Sequence, residues 1–427
     1  MRSFRSVHAL PLTLALLPGC IVLIDPEGDT DTTEGDTGGS ADSGADDPSA
    51  TSDGSDGSEG SDGGSDTGVV PTERAVDIVF VVDNSGSMGE EQAKLVQGVD
   101  ALVNALDGAV PPVDYRIAVT TTDNGNPWCQ TTTPEAGTFR GTSCRSRSSD
   151  FVFEGATVID STEEACLSVC DQENLGLSVP WIDVARSTGT TNAPGGDVAS
   201  ALHCLLPQGI NGCGFEQPLE SLSMALLRAE SPGNPNAGFL RPGALLAVVL
   251  VTDEVDCSTN PSHDTVFLPD GNRVFWSDPG TPAPSSAVCW NAGVQCTGTS
   301  PYDDCLPVNL DEDGSPVAGD PEIEAVMRPL AGYVEELSDR GAYVMAINGV
   351  GPGGSVIYAD SLEDPQFQED FGIGPGCSSL SGRAVPPVRI RHLVQSVSGP
   401  GNLHSICDQD FGPAFASMAA GILSRLP

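Results

Sequence analysis

Two stretches of this chain are almost continuously apolar, and both end in acid. The first reads AVDIVFVVDNSGSM from Ala75 to Met88, and the second reads GALLAVVLVTDEVD from Gly243 to Asp256. A run of β-branched and aliphatic residues without polar alternation belongs to a strand covered on both faces, as in a parallel sheet. Helical spacing follows the first run, with Leu95, Val99, Leu102, Val103 and Leu106 on one face of EEQAKLVQGVDALVNAL. YRIAVTTTD predicts the next strand. GDVASALHCLL and PLESLSMALLRAE predict helices, the second with Pro218 in the first turn, where proline is tolerated. AVMRPLAGYVEELSDRG predicts a helix, AYVMAINGV a strand and AFASMAAGILSRL a closing helix. Strands alternating with helices imply an α/β, doubly wound, parallel sheet flanked by helices. Such sheets bind ligands outside the carboxyl ends of their strands, where the strand order reverses. Asp83 and Asp253 both lie at that end.

Asp83, Ser85 and Ser87 alternate through one tight loop, and Asp253 joins them from a second strand. Two carboxylates and two hydroxyls are hard oxygen donors, suited to Mg²⁺, Mn²⁺ or a small Ca²⁺ site. They leave the cation poorly neutralised, with a position open for an acidic side chain from outside.

DIVFVVDNSGSM resembles the first strand and DxSxS loop of a von Willebrand factor type A domain, and VVLVTDEVD resembles its fourth strand, with the second metal-site aspartate at Asp253. The resemblance runs from about Arg74 to the C-terminus, interrupted by two Cys-rich insertions. It implies a mostly parallel sheet with one short antiparallel edge strand, and a metal ion-dependent adhesion site that engages a carboxylate of a protein ligand. The family also takes a threonine from the loop before a central helix. Here that loop, NGCGFEQPLESL, has none, so Glu216 is the expected substitute and Thr191 a second candidate. A third carboxylate makes the site less electrophilic and shifts it towards calcium. GCGFEQPLE, TDEVDCS and HSICDQDFG further resemble Cys-containing type A lipoproteins of Gram-negative bacteria.

The first twenty residues, MRSFRSVHALPLTLALLPGC, carry Arg2 and Arg5, an apolar stretch from Ala9 to Leu17, and Gly19 before Cys20. This pattern reads as an export signal. Its end resembles the lipobox of bacterial lipoproteins, in which Cys20 becomes the lipidated N-terminus. Ile21 rather than Asp follows, which favours the outer membrane. From Asp25 to Thr72 there is no Lys or Arg and hardly a large apolar residue, a composition that predicts a disordered tether. The expected layout is therefore a signal at 1–20, an acidic linker at 21–72, and a type A-like domain at 73–427 with insertions at about 124–194 and 257–319. The net charge of −42 disfavours nucleic acid and anionic lipid surfaces as partners, which leaves the lipid anchor as the membrane contact.

Thirteen cysteines less Cys20 leave twelve: Cys129, Cys144, Cys166, Cys170, Cys204, Cys213, Cys257, Cys289, Cys296, Cys305, Cys377 and Cys407. An even number in an exported chain implies up to six disulfides. Sequence proximity suggests Cys129–Cys144, Cys204–Cys213 and Cys296–Cys305. Zinc is the competing reading, but the spacing lacks paired CxxC units.

The expected function is binding rather than catalysis. One alternative is a disulfide-stapled structural protein of the envelope whose metal site is vestigial. Another is a metal-dependent hydrolase. Ser87 lacks the glycine two residues earlier that a nucleophile elbow needs, and no histidine stands out as a base, with His203 and His404 reading as structural. Asp83 to Ser87 as a mere helix cap explains one such residue, not three with a partner strand. NLDEDGSPVAGD, from Asn309 to Asp320, weakly matches a calcium loop but reads better as a hairpin turn, because the bidentate glutamate is missing. Glu254 and Asp256 are either supporting acids or part of a solvated loop. If Cys20 carries the anchor, Cys20→Ser should move the protein from the membrane to the soluble fraction on cell fractionation. Retention in the membrane contradicts it.

Overall fold

The computed structural model describes residues 71–155, 157–380 and 382–427. The leader, Cys20 and nearly all of the acidic segment lie outside these residues. The described chain is already hydrogen-bonded at its start, where Thr72 N and Glu73 N donate to Gly243 O at 3.0 and 3.2 Å.

Strand β1 (Ala75–Val82) is buried along its whole length. Val76, Ile78, Phe80 and Val82 face one core, while Val79 and Val81 face a second on the other side of the sheet. That double coverage is why the run does not alternate in polarity. Helix α1 (Gly89–Asp107) buries Leu95, Val99, Leu102, Val103 and Leu106 against the first core, the stripe its spacing predicts. Next come β2 (Asp114–Thr121), β3 (Trp181–Ala185), β4 (Thr190–Thr191), α2 (Val198–Leu205) and α3 (Pro218–Glu230). They are followed by β5 (Leu245–Val251), α4 (Leu330–Asp339), β6 (Tyr343–Asn348), α5 (Val388–Ser398), β7 (Leu403–Ser405) and α6 (Gly412–Leu423).

The seven strands form one sheet in the order β7-β6-β5-β1-β2-β3-β4. β1 runs parallel to both neighbours, and β5, β6 and β7 continue in parallel. β3 and β4 pair antiparallel at one edge. The fold is thus α/β and doubly wound, with a mostly parallel sheet between helices. After β1 the chain builds outward in one direction and then returns to build in the other. The switch in strand order therefore falls between β1 and β5, at the ends that carry Asp83 and Asp253.

Several local expectations change. The first insertion ends near Pro180, because Trp181–Ala185 and Thr190–Thr191 belong to the main sheet. These are short edge segments with little apolar pattern. The helix expected from Ala325 begins only at Leu330, with Pro329 at its N-cap and Met327 bridged to Thr259 as extended chain. Helix α5 and strand β7 had no clear signal in the sequence. The 309–320 segment is a hairpin turn, with Leu310 bridged to Pro316 and Asp311 N bonded to Ser315 O at 2.9 Å.

All twelve cysteines pair, as Cys129–Cys213, Cys144–Cys166, Cys170–Cys204, Cys257–Cys289, Cys296–Cys305 and Cys377–Cys407. Cys296–Cys305 agrees with proximity. Cys129–Cys144 and Cys204–Cys213 are corrected, because the fold lays the loop after β2 against the loop before α3. Loop-closure entropy grows slowly with length, so nearness in sequence is a weak guide to pairing. The disulfides also remove the zinc reading for these thiols. A third apolar core, including Phe215, Val255, Phe267, Trp276 and Trp290, joins the second insertion to the loops that follow β5 and precede α3.

Arg389 at the start of α5 is among the largest fully buried side chains. Its Nε donates to Asp256 Oδ2 at 2.8 Å and its guanidinium also donates to Arg328 O at 2.7 Å. Ser258 Oγ donates to the other oxygen of Asp256 at 2.6 Å. This pair ties the loop that leaves β5 to α5. Removing one member of a buried ion pair strands the other, so Arg389→Ala should cost about 3–5 kcal/mol in equilibrium urea unfolding. A loss below about 1 kcal/mol contradicts that role.

Candidate functional site

Asp83 is the first residue beyond β1. Its N–H donates to Val251 O at 2.9 Å, which fastens the end of β1 to the end of β5. The carboxylate is fully buried and bonded on both oxygens. Oδ1 accepts from Ser85 N at 2.7 Å, and Oδ2 accepts from the Thr252 hydroxyl at 2.6 Å. Folding the loop back on itself in this way brings the Ser85 and Ser87 hydroxyls to 3.2 Å from each other. Ser85 is buried and Ser87 half-buried, so the loop opens towards solvent at Ser87.

Gln92, buried on α1, clamps the loop from beneath. Its amide N–H groups donate to Asp83 O at 2.9 Å and Gly209 O at 2.7 Å, and its Oε1 accepts from Gln208 N and Gly209 N. Gly212 N donates to Asn84 O at 2.8 Å. A Cβ on Gly212 would lie 2.4 Å from the Asn84 side chain, so only glycine lets the loop before α3 approach this closely. A Cβ on Gly89 would likewise lie 2.7 Å from Ser161, which shows the first insertion pressed against the start of α1.

Three further acids meet Asp83 here. Asp253 follows β5, and its backbone oxygen accepts from Val385 N at 2.7 Å. Glu254 is its neighbour and accepts from Ser286 Oγ of the second insertion at 2.9 Å. Glu216 sits in the loop before α3, fully buried, and accepts from the Thr122 hydroxyl. Burial pushes all four carboxyls up, and their mutual repulsion pushes Glu216, Asp253 and Glu254 further. Glu216 and Asp253 are raised well above the usual range, and Glu254 is pushed up to about 8. Asp83 is the leading charge acting on each of these three. Hydroxyls, not cationic side chains, supply most of what opposes these shifts.

Asp83, Ser85, Ser87, Asp253 and Glu216 come together at this end of the sheet. Thr191 does not. It lies on β4 level with Val184, Tyr115 and Val76, at the far end of β1 from Asp83. Its hydroxyl donates to Asp183 O at 2.8 Å. Asp256 is occupied by Arg389, whereas Glu254 belongs to the cluster. Thr252, Thr122 and Gln92, which bond the acids and the loop of the candidate site, were not disclosed by the sequence. Thr252 had a faint signal as the residue between a buried strand and its terminal acid.

The donors fit a hard divalent cation. They are carboxylate and hydroxyl oxygens, without nitrogen or sulfur. Asp253 Oδ1 and Glu216 Oε1 are buried without a hydrogen-bond partner, a costly state for a carboxylate unless a cation faces it. Among the described residues no group of three or more Asp, Glu, His or Cys side chains is placed to hold a metal ion. The site is instead a mixed set of acids and hydroxyls.

No known family model matches the chain, and no curated protein matches it. Among solved structures it is similar to the pilus adhesin SpaC from Lactobacillus rhamnosus GG in its open conformation. There the TM-score is 0.35 at 12% identity, over 84% of this chain and 31% of that one. It is also similar to the vWF domain of the type V pili tip protein Mfa5 from Porphyromonas gingivalis, with a TM-score of 0.32 at 11% identity over 84% and 97% of the two chains. For the adhesive tip pilin GBS104 from Group B Streptococcus agalactiae the TM-score is 0.30 at 14% identity, over 82% and 98%. The chain thus spans about a third of the length of SpaC.

The raised carboxyls set a sign for pH dependence. Without metal the folded state holds protons that the unfolded state has released, from the ordinary glutamate value of 4.5 up to about 8 at Glu254. Stability is then fully present below that window and lost as pH rises through it, by roughly 1 kcal/mol per pH unit for each such proton. The melting temperature in chelator should therefore rise on acidification from pH 8 towards 5, and Glu254→Gln should flatten the trend. A chelated protein that is most stable at pH 8 contradicts the buried-acid geometry.

Proposed function

We propose that the domain holds one divalent cation at Asp83, Ser85, Ser87 and Asp253, with Glu216 beside them, and uses it to bind a carboxylate on a partner protein. The observation that carries this reading is the set of buried carboxylates at the β1–β5 switch point, two of them with a partnerless oxygen and, among the described residues, none in an ion pair with Lys or Arg. A bound cation would supply the positive charge that a partner's acid recognises. The chain's own residues do the rest. Asp83 and Asp253 provide the charge that holds the ion. The serine hydroxyls add neutral donors that leave it electrophilic. The loop at Ser87 leaves a side open to an incoming ligand.

Binding is favoured over hydrolysis because His203 and His263 are engaged away from the site. His203 Nε2 lies 2.8 Å from Asp100, and His263 bonds Glu312 and Ile323 O. In this reading the protein is an exported lipoprotein. Cys20 is the anchor at the outer membrane, the acidic segment is the tether, and the disulfide-stapled domain is an adhesion or interaction head. The disulfides support export, since such bonds persist in oxidising compartments. Among the described residues no helix is long and apolar enough to cross a membrane.

A ligand that binds only the folded state stabilises it by mass action, by roughly 2.7 kcal/mol at 100-fold over its dissociation constant. Saturating Mg²⁺, Mn²⁺ or Ca²⁺ should therefore raise the melting temperature of the wild type. The rise should vanish in Asp83→Ala and persist in part in Ser87→Ala, because a hydroxyl contributes a dipole and not a charge. No shift with any of the three cations would favour a structural envelope protein instead.

A further inference from the structure

The second insertion, the loop after β2 and the first turns of α3 enclose a cavity of about 290 Å³. Pockets for drug-sized ligands run from about 300 to 1,000 Å³, so this one has the size for a single long side chain. Three of its lining residues keep an acceptor that meets no donor among the described residues. Asn124 Oδ1 is buried without a hydrogen-bond partner. Gln217, 6% exposed, spends its Nε2 on Gly125 O at 2.9 Å and leaves its Oε1 unspent. Asp264, half-buried on the turn Pro261–Phe267, has a carboxylate with neither a hydrogen bond nor an ion pair.

The donors of the same walls are mostly taken. In the first turn of α3, Leu219 N donates to Asp256 Oδ1 at 3.5 Å, Glu220 N to Ser258 Oγ at 3.0 Å and Ser221 N to Gln217 O at 2.9 Å. No N–H of that turn remains for an anion. Glu220 also lines the cavity, but Arg328 Nε at 3.0 Å balances its charge. Asp264 is therefore the unpaired charge of the lining. Against these acceptors stand only the Asn126 amide nitrogen and the Thr259 hydroxyl. Pro127, Met224 and Pro261 supply apolar wall. The frame is fixed by the Cys129–Cys213 disulfide, by Gln217 N on Thr122 O at 3.0 Å and by Asn260 N on Val326 O at 2.9 Å.

We propose that this cavity is a second recognition site, one that takes an arginine side chain of a partner protein. A guanidinium presents five donors in a plane and matches acceptors spread over several walls, whereas an ammonium is a compact point charge. Asp264 supplies the counter-charge, the Asn124 and Gln217 oxygens the neutral acceptors, and the prolines and Met224 the cover for the methylene stem. The chain's net charge of −42 attracts basic partners to it. The site extends the reading of the domain as a binding head and needs no cation at Asp83 or Asp253.

Titration of the disulfide-intact protein with N-acetyl-arginine methylamide, followed by NMR, tests this. Its neutral isostere, the citrulline derivative, is the control. Wild type should bind the arginine probe saturably and at least about tenfold more tightly than the citrulline probe, because the charge-assisted bonds are lost in the latter. Asp264→Asn should remove most of that difference, and Met224→Trp, which fills the cavity, should abolish binding. Chelator should change nothing, whereas Asp83→Ala, which removes the proposed cation, should bind the probe as wild type does. Equal binding of the two probes, or no binding by wild type, overturns the proposal. Binding that persists unchanged in both Asp264→Asn and Met224→Trp, or that is lost in Asp83→Ala, places the probe elsewhere and also overturns it. Should Met224→Trp not fold, the half-exposed Asp264→Asn decides by the ratio of the two probes.

Discussion

Four carboxylates crowd the point where β1 and β5 end, and among the described residues none of them forms an ion pair with arginine or lysine. Asp83 and Glu216 are fully buried, and Asp253 and Glu254 are each 8% exposed. An uncompensated charge in such a place costs several kcal/mol after relaxation, so a protein keeps it only if a proton or a cation neutralises it. Two other buried acids in this chain are handled differently. Asp77 is met by Arg241 at 2.7 Å, and Asp256 by Arg389 at 2.8 Å. The contrast between paired and unpaired acids inside one domain sets the β1–β5 end apart and is what motivates the proposed cation site.

The architecture around that point serves to hold it. The sheet brings two strand ends side by side, and the Asp83–Val251 backbone bond joins them. Gln92 ties the DxSxS loop to the loop at Gly209, and Thr252 and Ser286 donate to Asp83 and Glu254. The insertions participate in this frame. Cys213 and Cys257, within a few residues of Glu216 and Asp253, are each anchored by a disulfide to one insertion. Phe215 stacks edge-on against Phe267 with ring centroids 4.7 Å apart, next to Glu216. Site loops held this way lose little conformational freedom when an ion arrives, which favours binding.

How much of this was legible follows from how local each signal is. Asp83, Ser85, Ser87 and Asp253 could be read because all lie within a few residues of the end of a continuous buried strand, and strand periodicity is written in neighbouring residues. Glu216 was legible only through the missing threonine in its loop. Thr122 was not, because its partner is 94 residues away, and Gln92 bonds Gly209 across 117. Ser286 reaches Glu254 from an insertion with no periodic pattern of its own. The disulfide pairs failed for the same reason, apart from Cys296–Cys305, where two short strands bring the cysteines directly opposite each other. β3 escaped notice because a five-residue edge strand carries too few apolar positions to stand out from a loop.

The most direct measurement is the divalent metal content of the folded protein after dialysis against buffer containing Mg²⁺ and Ca²⁺, by mass spectrometry of the native protein. The account predicts one ion per chain in wild type and none in Asp253→Ala with its fold intact. Wild type that carries no ion, or Asp253→Ala that carries as much as wild type, contradicts it.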